Sequence, residues 1–142
     1  MTEDKRLIVD SEKIKKAATS GVPLSLTTYV LPHEMILYMN DVLTCFLTSL
    51  NQAHMTDYLV YCLNELSTNA KKANTKRIYF LEKNLDINNP EDYEEGMKTF
   101  KMDMLENLSY FLEKQREAGL YIKVVFVAKN NNIKLEVRNN SE

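Results

Sequence analysis

Glycine and proline are scarce in this chain. Each occurs only three times in 142 residues. Because tight turns rely on the positive φ of glycine and the fixed φ of proline, we expect few turns. This argues against a many-stranded sandwich or barrel and favours a small number of long elements. The hydrophobic fraction of 44% and the charged fraction of 27% are typical of a globular protein, and we expect one domain over residues 1–142.

The first elements are predicted to be a short helix and a strand. Residues 1–23 are interpreted as a lead-in, in which Ser11 can cap a helix to about Ala18 and Gly21 can end it. Residues 24–31 alternate in character and are rich in β-branched and aromatic residues, which predicts a strand.

Two helices are predicted next. Pro32 can open the first, because its missing N–H group costs nothing in the first helical turn. Apolar residues then recur at helical spacing over residues 33–51. The second helix is predicted from about Thr56 to Ala73, with Asn74 as its stop. Its predicted buried stripe consists of Leu59, Cys62, Leu63, Leu66, Ala70 and Ala73.

The second half of the chain is predicted to contain one long helix between strands. Residues 77–81 are typical of a strand, and a polar turn cluster follows them. A long amphipathic helix is predicted from about Glu91 to Ala118. Residues 121–128 and 133–137 are predicted to form a terminal hairpin.

This order of elements predicts an α+β fold. Helices would pack on one face of a mixed, mostly antiparallel sheet and form a two-layer sandwich. Residues 24–82 would supply a strand, two helices and a second strand. Residues 83–120 would add a helical segment, and residues 121–142 the terminal β-hairpin.

Three polar residues of the second predicted helix could act together. At about 100° per residue, Glu65, Asn69 and Lys72 lie within about 60° of one another. A carboxylate can serve as a general base, an amide oxygen can ligate Mg²⁺, and an ammonium group can meet a phosphate. From the residue types alone, however, such a row is more often a solvated helix face.

The string from Glu65 to Lys72 has the sequence Glu-Leu-Ser-Thr-Asn-Ala-Lys-Lys. It resembles the N-box of the Bergerat-fold ATPases, the histidine-kinase-like (GHKL) superfamily of gyrase and the sensor histidine kinases. It is most similar to the anti-sigma-factor kinases and to some sensor kinases. In an anti-sigma-type domain a strand, Leu-Pro and a helix precede the N-box helix, and Leu31 and Pro32 match that order. Residues 137–141 stand where the family has Val-x-Asp-Asn-Gly.

The resemblance implies that the chain takes part in binding Mg-ATP. Asn69 would ligate the Mg²⁺ ion that bridges the phosphates, and Glu65 would be the base that polarises the attacking water or hydroxyl group. Lys72 would approach a phosphate, Ala73 would belong to the nucleotide site, and Asn139 would accept a hydrogen bond from the adenine amino group. The full protein would hydrolyse ATP or phosphorylate a partner protein.

The sequence also departs from the family pattern. Asn139 replaces the family's Asp, and Ser141 replaces a Gly. Residues 83–120 are an insertion relative to the family. The later glycine-rich boxes, the lid and the last strands are not in this sequence, so the resemblance covers residues 24–141 and implies an incomplete Bergerat fold. By itself, such a part is expected to be inactive.

An alternative function is that of a catalytically inactive regulatory module. Its working surface would be the long amphipathic helix, which would bind a partner protein or a second copy of the chain. The departures from the ATPase pattern support this alternative.

Charge and composition exclude further classes of partner. The net charge of −2 provides no positive field for nucleic acid. No stretch approaches about eighteen apolar residues, and the first residues lack a signal core, so we expect no membrane contact and a cytoplasmic location. Cys45 and Cys62 are then expected to be reduced.

Overall fold

The computed structural model describes residues 8–130 and 132–141, so that part of the predicted lead-in lies outside the described residues. The described chain forms five α-helices and three β-strands. In chain order they are α1 (Ser11–Ser20), β1 (Leu24–Thr28), α2 (His33–Ser49), α3 (Thr56–Glu82), α4 (Pro90–Glu106), α5 (Leu108–Glu117), β2 (Ile122–Lys129) and β3 (Asn132–Asn139), with a 3₁₀ turn at Ala53–Met55 before α3.

The three strands form one sheet in the order β1-β2-β3. Val124 of the central strand pairs with Leu26 of β1 and with Val137 of β3, and both pairings are antiparallel. Ile122, Val124 and Phe126 are buried, whereas the residues between them are partly exposed. Since successive side chains of a strand point to opposite faces, the helices that pack on the sheet, α1, α2 and α3, cover only one of its faces. The predicted α+β two-layer fold is confirmed, and the described sheet is wholly antiparallel rather than mixed.

The predicted terminal hairpin is also confirmed. Lys129 at the end of β2 is paired with Asn132 at the start of β3, so the two strands form an antiparallel hairpin. Asn130, which directly follows β2, has a φ of 52°. Asparagine tolerates this left-handed conformation better than most residues, and it is what a tight hairpin turn requires.

The helices of the first half begin and end close to the predicted residues. The side chain of Asp10, rather than that of Ser11, caps α1 by accepting a hydrogen bond of 3.2 Å from the N–H of Lys13. Gly21 ends α1 with a φ of 77°, as predicted. Pro32 directly precedes α2, and the first turn of this helix has no hydrogen bond to a capping side chain.

α3 continues far beyond its predicted end. It reaches Glu82, so both the predicted stop at Asn74 and the predicted strand at residues 77–81 are wrong. Three successive residues of the predicted strand instead pack against α4 and α5, namely Ile78, Tyr79 and Phe80. This tertiary packing stabilises the helical conformation beyond Asn74.

A left-handed residue closes α3. Asn84 has a φ of 58°. The N–H of Leu85 donates to the carbonyl oxygen of Phe80 at 2.9 Å, and the N–H of Asn84 donates to that of Leu81 at 3.2 Å. This pair of hydrogen bonds is the usual way in which a helix ends at a left-handed residue. The effective stop signal is therefore Asn84 and not Asn74.

The prediction of one continuous helix after α3 is wrong, because this segment forms two helices, α4 and α5, which are divided at Asn107. That residue has a φ of −129° and a ψ of 32°, outside the helical region. Its side-chain Nδ2 donates to the carbonyl oxygen of Asp103 at 3.4 Å. Met104 before the break and Phe111 after it are both buried in the same core.

Two apolar cores lie along α3. The first lies between the sheet, α1, α2 and the beginning of α3, and includes the rings of Phe46 and Phe126, whose centres are 5.9 Å apart. The second lies between the end of α3, α4 and α5, where the ring of Tyr79 is 5.1 Å from that of Phe100 and 5.5 Å from that of Phe111. One helix can serve both cores because its 27 residues span about 40 Å.

None of the helices within residues 8–130 and 132–141 combines the length and the apolar character that crossing a bilayer requires. α3 is long enough, with 27 residues, but it carries charged side chains such as Glu65 and Lys72.

Candidate functional site

α3 packs on the sheet through a different row of side chains from the predicted one. In its first part the buried residues are Leu63, Ser67, Ala70 and Asn74. Leu63 and Ala70 belong to the predicted stripe, but Leu66 is 44% exposed, whereas Ser67 is only 2% exposed. The prediction for Leu66 is therefore wrong, and the buried face is turned so that it includes two polar residues.

The three candidate polar residues lie on the far side of this helix. Glu65, Asn69 and Lys72 are all exposed. Because they are spaced by four and three residues, neighbouring members of the row have Cβ atoms about 5–6 Å apart. Among the described residues, none of the three side chains has a hydrogen-bond or ion-pair partner. They form a polar row that is held by a rigid helix and is available to a ligand.

This row has the chemistry that the resemblance implies. An amide oxygen is a hard ligand that suits Mg²⁺, and this ion commonly uses only one or two protein oxygens together with phosphate and water. The carboxylate of Glu65 lies one helical turn from Asn69, and the ammonium group of Lys72 lies almost one turn beyond it. The donor set therefore fits a magnesium nucleotide.

Lys72 has no hydrogen-bond or ion-pair partner among the described residues, whereas the next lysine on the same side of the helix has one. Lys76 donates a hydrogen bond of 3.3 Å to the hydroxyl group of Tyr93 and lies 5.8 Å from the centre of its ring. It is thereby engaged with α4. Lys72 is thus available to a ligand, whereas Lys76 joins α3 to α4.

Ala73 lies beside the row and is partly buried. It directly precedes Asn74, which is fully buried in the middle of α3. Around the helix, Ala73 therefore lies between the exposed row and the buried position at which Asn139 of β3 contacts α3.

Asn139 contacts α3 through Asn74. Its side-chain Nδ2 donates to Oδ1 of Asn74 at 3.2 Å and to Oγ of Ser141 at 2.6 Å. The Nδ2 of Asn74 donates in turn to the carbonyl oxygen of Tyr121 at 3.1 Å. The end of β3, the start of β2 and the middle of α3 are thus joined by side-chain amides.

The structure brings the candidate residues together only in part. Asn69 and Asn74 are five residues apart, which turns their side chains by about 140° from each other. Among the described residues no hydrogen bond joins Asn139 to Glu65, Asn69 or Lys72. Asn139 lies at the edge of the helix that bears the row, and the row itself faces outward.

Sequence reasoning missed Asn74 as a site residue and interpreted it as a helix stop. An asparagine between small and basic residues gives no sign that it is buried. Its only available signal was its position one residue after Ala73, in line with Ser67 and Ala70 at helical spacing.

A second polar cluster lies at the other end of α3. The hydroxyl group of Tyr79 donates to the Asp103 carboxylate at 2.7 Å and lies 2.5 Å from Oγ1 of Thr99, and Lys83 is 3.3 Å from the same carboxylate. Burial raises the pKa of Tyr79. The hydrogen bond from Tyr79 lowers the pKa of Asp103. Tyr79 is fully buried and lies on α3, whereas Thr99 and Asp103 lie on α4. The cluster therefore joins α3 to α4.

Two cavities of the described chain lie away from the polar row. One, of about 790 Å³, lies between the end of α1, the segment after α2 and the hairpin turn, and is lined by residues such as Asn51, Met55 and Asn130. The other, of about 300 Å³, is lined by Glu82, Lys83, Asn107, Tyr110 and Phe111. Neither cavity is lined by a candidate site residue.

Comparison with known proteins adds one relative. A protein of Treponema pallidum (strain Nichols), described as an uncharacterized protein, is 49% identical to this chain over 137 residues. The match covers 96% of the chain and 27% of the relative, so the chain spans about a quarter of that protein's length. No family model matches the chain, and no solved structure matches it.

Proposed function

We propose that this chain supplies the N-box part of a histidine-kinase-like ATPase or protein kinase and binds Mg-ATP. The observation that carries the proposal is the row of Glu65, Asn69 and Lys72. These side chains are exposed and have no partner among the described residues, on a helix whose opposite side packs on the sheet. They also belong to the Glu-Leu-x-Thr-Asn-Ala-x-Lys string.

Each residue of the row has a distinct role in this proposal. The side-chain oxygen of Asn69 ligates Mg²⁺, and the ammonium group of Lys72 pairs with a phosphate oxygen. The carboxylate of Glu65 accepts the proton of the attacking water or hydroxyl group. When bound, the metal ion neutralises charge on the phosphates.

The base of the nucleotide would lie nearer to the sheet. Asn139 at the end of β3 accepts a hydrogen bond from the adenine amino group, and Ala73 leaves room beside it because its side chain is a single methyl group. An amide oxygen can accept this hydrogen bond without the charge of an aspartate. The contact of Asn139 with Asn74, the residue after Ala73, supports this arrangement.

Titration with Mg-ATP, followed by NMR, tests the proposal. We expect saturable shifts of the amides of residues 65–74 and 137–141, which are lost on addition of EDTA or in Asn69→Ala. Asn88→Ala is a matched control, because Asn88 is also exposed but lies in the loop before α4. Absence of saturable shifts at millimolar nucleotide, or unchanged affinity in Asn69→Ala, would contradict the assignment.

A second candidate function is protein binding at the junction of α4 and α5. Three apolar residues around the break are exposed, namely Met102 (66%), Leu105 (79%) and Leu108 (50%). This surface, rather than one long helix, would hold a partner protein or a second copy of the chain.

Light scattering over a range of concentrations tests this alternative in its simplest form, self-association. We expect the mass to rise with concentration, and Leu105→Glu to abolish that rise. Lys101→Glu, an exposed change on the same helix, serves as the control. A monomer at all concentrations that also fails to bind an apolar dye would contradict the alternative.

A further inference from the structure

We propose that Asn74 is a positioning residue that fixes the side-chain amide of Asn139 so that its oxygen faces a ligand as a hydrogen-bond acceptor. The site would then select purine bases with an amino group at the six-position over those with a carbonyl group there. This inference rests on the nucleotide binding proposed above. It concerns the orientation of two amides, which follows from their hydrogen bonds.

The orientation of Asn74 is determined by the backbone. A carbonyl oxygen can only accept hydrogen bonds, and that of Tyr121 lies 3.1 Å from Nδ2 of Asn74. The backbone of Tyr121 is itself held, because its N–H donates to Oδ1 of Asn140 at 2.7 Å. The reverse orientation of Asn74 would place its oxygen against the carbonyl oxygen in a fully buried position, where an unpaired polar group is costly.

The orientation of Asn74 then determines that of Asn139. With its Nδ2 turned to Tyr121, Asn74 presents Oδ1 to Asn139, and this atom can only accept. Asn139 therefore turns its Nδ2 toward Asn74, at 3.2 Å. The second hydrogen of the same Nδ2 is used by Oγ of Ser141 at 2.6 Å.

Asn139 consequently has only an acceptor to offer to a ligand. Both hydrogens of its Nδ2 are engaged, and its Oδ1 has no hydrogen-bond partner among the described residues. The residue is partly exposed, so a ligand can approach it. An isolated asparagine could rotate to present either end, but this one cannot rotate without breaking its bond to Asn74.

An acceptor in this place distinguishes two kinds of purine. Adenine carries an amino group at its six-position and can donate to Oδ1 of Asn139. Hypoxanthine carries a carbonyl oxygen there, which would face another oxygen. A mismatched pair of this kind lowers affinity by about tenfold to a hundredfold.

The test compares the affinities of ATP and of inosine triphosphate, which differ at that position, by calorimetry in the presence of Mg²⁺. We expect the wild-type chain to prefer ATP by about tenfold or more. Asn74→Leu releases Asn139, and the preference should fall towards one. A residue with only a structural role would lower both affinities by the same factor.

Two further variants keep the test decisive. Ser141→Ala leaves Asn139 turned by Asn74 but frees one hydrogen of its Nδ2. That hydrogen can donate to the carbonyl oxygen of hypoxanthine, so this variant should also reduce the preference. Thr75→Val removes other side-chain hydrogen bonds of α3, from Thr75 Oγ1 to the carbonyl oxygen of Lys71 at 2.9 Å and to Oε1 of Gln115 at 3.4 Å, and should leave the preference unchanged.

The outcomes separate the two proposals. If neither nucleotide binds, the proposed function fails and this inference fails with it. If both bind with equal affinity, or if Asn74→Leu and Ser141→Ala keep the wild-type preference, nucleotide binding stands and the role of Asn74 is overturned.

Discussion

The side-chain Nδ2 of Asn139 donates a hydrogen bond of 3.2 Å to Oδ1 of Asn74, a residue 65 positions earlier in the chain. Asn74 is fully buried in the middle of α3, and Asn139 is the last residue of β3. A polar side chain in such a place is tolerated only when its hydrogen bonds are made. This contact therefore ties the end of the sheet to the helix that bears the polar row.

Replacing Asn74 by alanine should destabilise the chain. The change leaves the Tyr121 carbonyl oxygen and one hydrogen of Asn139 without their partner, which costs about 1–3 kcal/mol of unfolding free energy. Urea denaturation followed by circular dichroism measures this loss. Asn69→Ala is the matched control on the same helix, and because Asn69 is exposed we expect a change within about 0.5 kcal/mol. Equal losses in the two variants would contradict the importance of the buried amide.

Stability should fall in acid because of Asp103. The hydrogen bond from Tyr79 lowers the pKa of this carboxyl group in the folded chain. An ionised Asp103 therefore favours folding above its usual pKa, about 3.9, and this contribution is lost as the pH falls through the lowered value.

Asp103→Asn removes that contribution. The variant should be less stable than the wild type at pH 7, and the difference should shrink below about pH 4. Thermal unfolding at several pH values measures it, with Glu94→Gln as an exposed control of the same charge change on α4. A difference between wild type and Asp103→Asn that does not vary with pH would be inconsistent with this role.

Gly96→Ala should destabilise the second core. A methyl group at Gly96 would lie 2.5 Å from Cζ of Phe80, whose side chain is only 1% exposed. Overpacking of this kind costs about 1–3 kcal/mol, whereas alanine regains about 1 kcal/mol of helix propensity. We expect a net loss of up to about 2 kcal/mol, measured by urea denaturation. Lys101→Ala on the same helix should not share the loss, and a stabilised Gly96→Ala would show that Phe80 moves freely.

Gln115→Leu should weaken the attachment of α5. Gln115 is 1% exposed and donates from Nε2 to the carbonyl oxygen of Tyr29 at 3.1 Å. Its Oε1 lies 3.4 Å from Oγ1 of Thr75 on α3. Leucine leaves the Tyr29 carbonyl oxygen unpaired, at a cost of about 1–3 kcal/mol. Hydrogen exchange should show faster opening of α5, with the exposed change Glu113→Leu as control, and unchanged protection of α5 would contradict the prediction.

Several elements followed from local pattern alone. The apolar spacing over residues 33–51 predicts α2, and the alternation around the turn at Asn130 predicts the terminal hairpin. The placement of Glu65, Asn69 and Lys72 on one exposed side follows from 3.6 residues per turn. These features depend on residues close together in the chain.

Other predictions failed where local pattern was ambiguous. The run Ile78-Tyr79-Phe80 is typical of a strand as well as of a buried helix, and a short apolar run does not distinguish the two. Similarly, the spacing of apolar residues continues past Asn107, although the helix does not. The run from Ile78 to Phe80 is helical because it is buried against α4 and α5. At the break, Met104 before Asn107 and Phe111 after it lie in that same core.

The sequence by itself determined the α+β class, the helix that bears the candidate residues and the side on which they lie, because these follow from periodicity along a single element. Only the tertiary structure decided where α3 ends and which asparagine is buried. The hydrogen bonds that engage Asn74 come from residues 47 and 65 positions away. Such pairings depend on how the sheet and the helix meet, which no local pattern encodes.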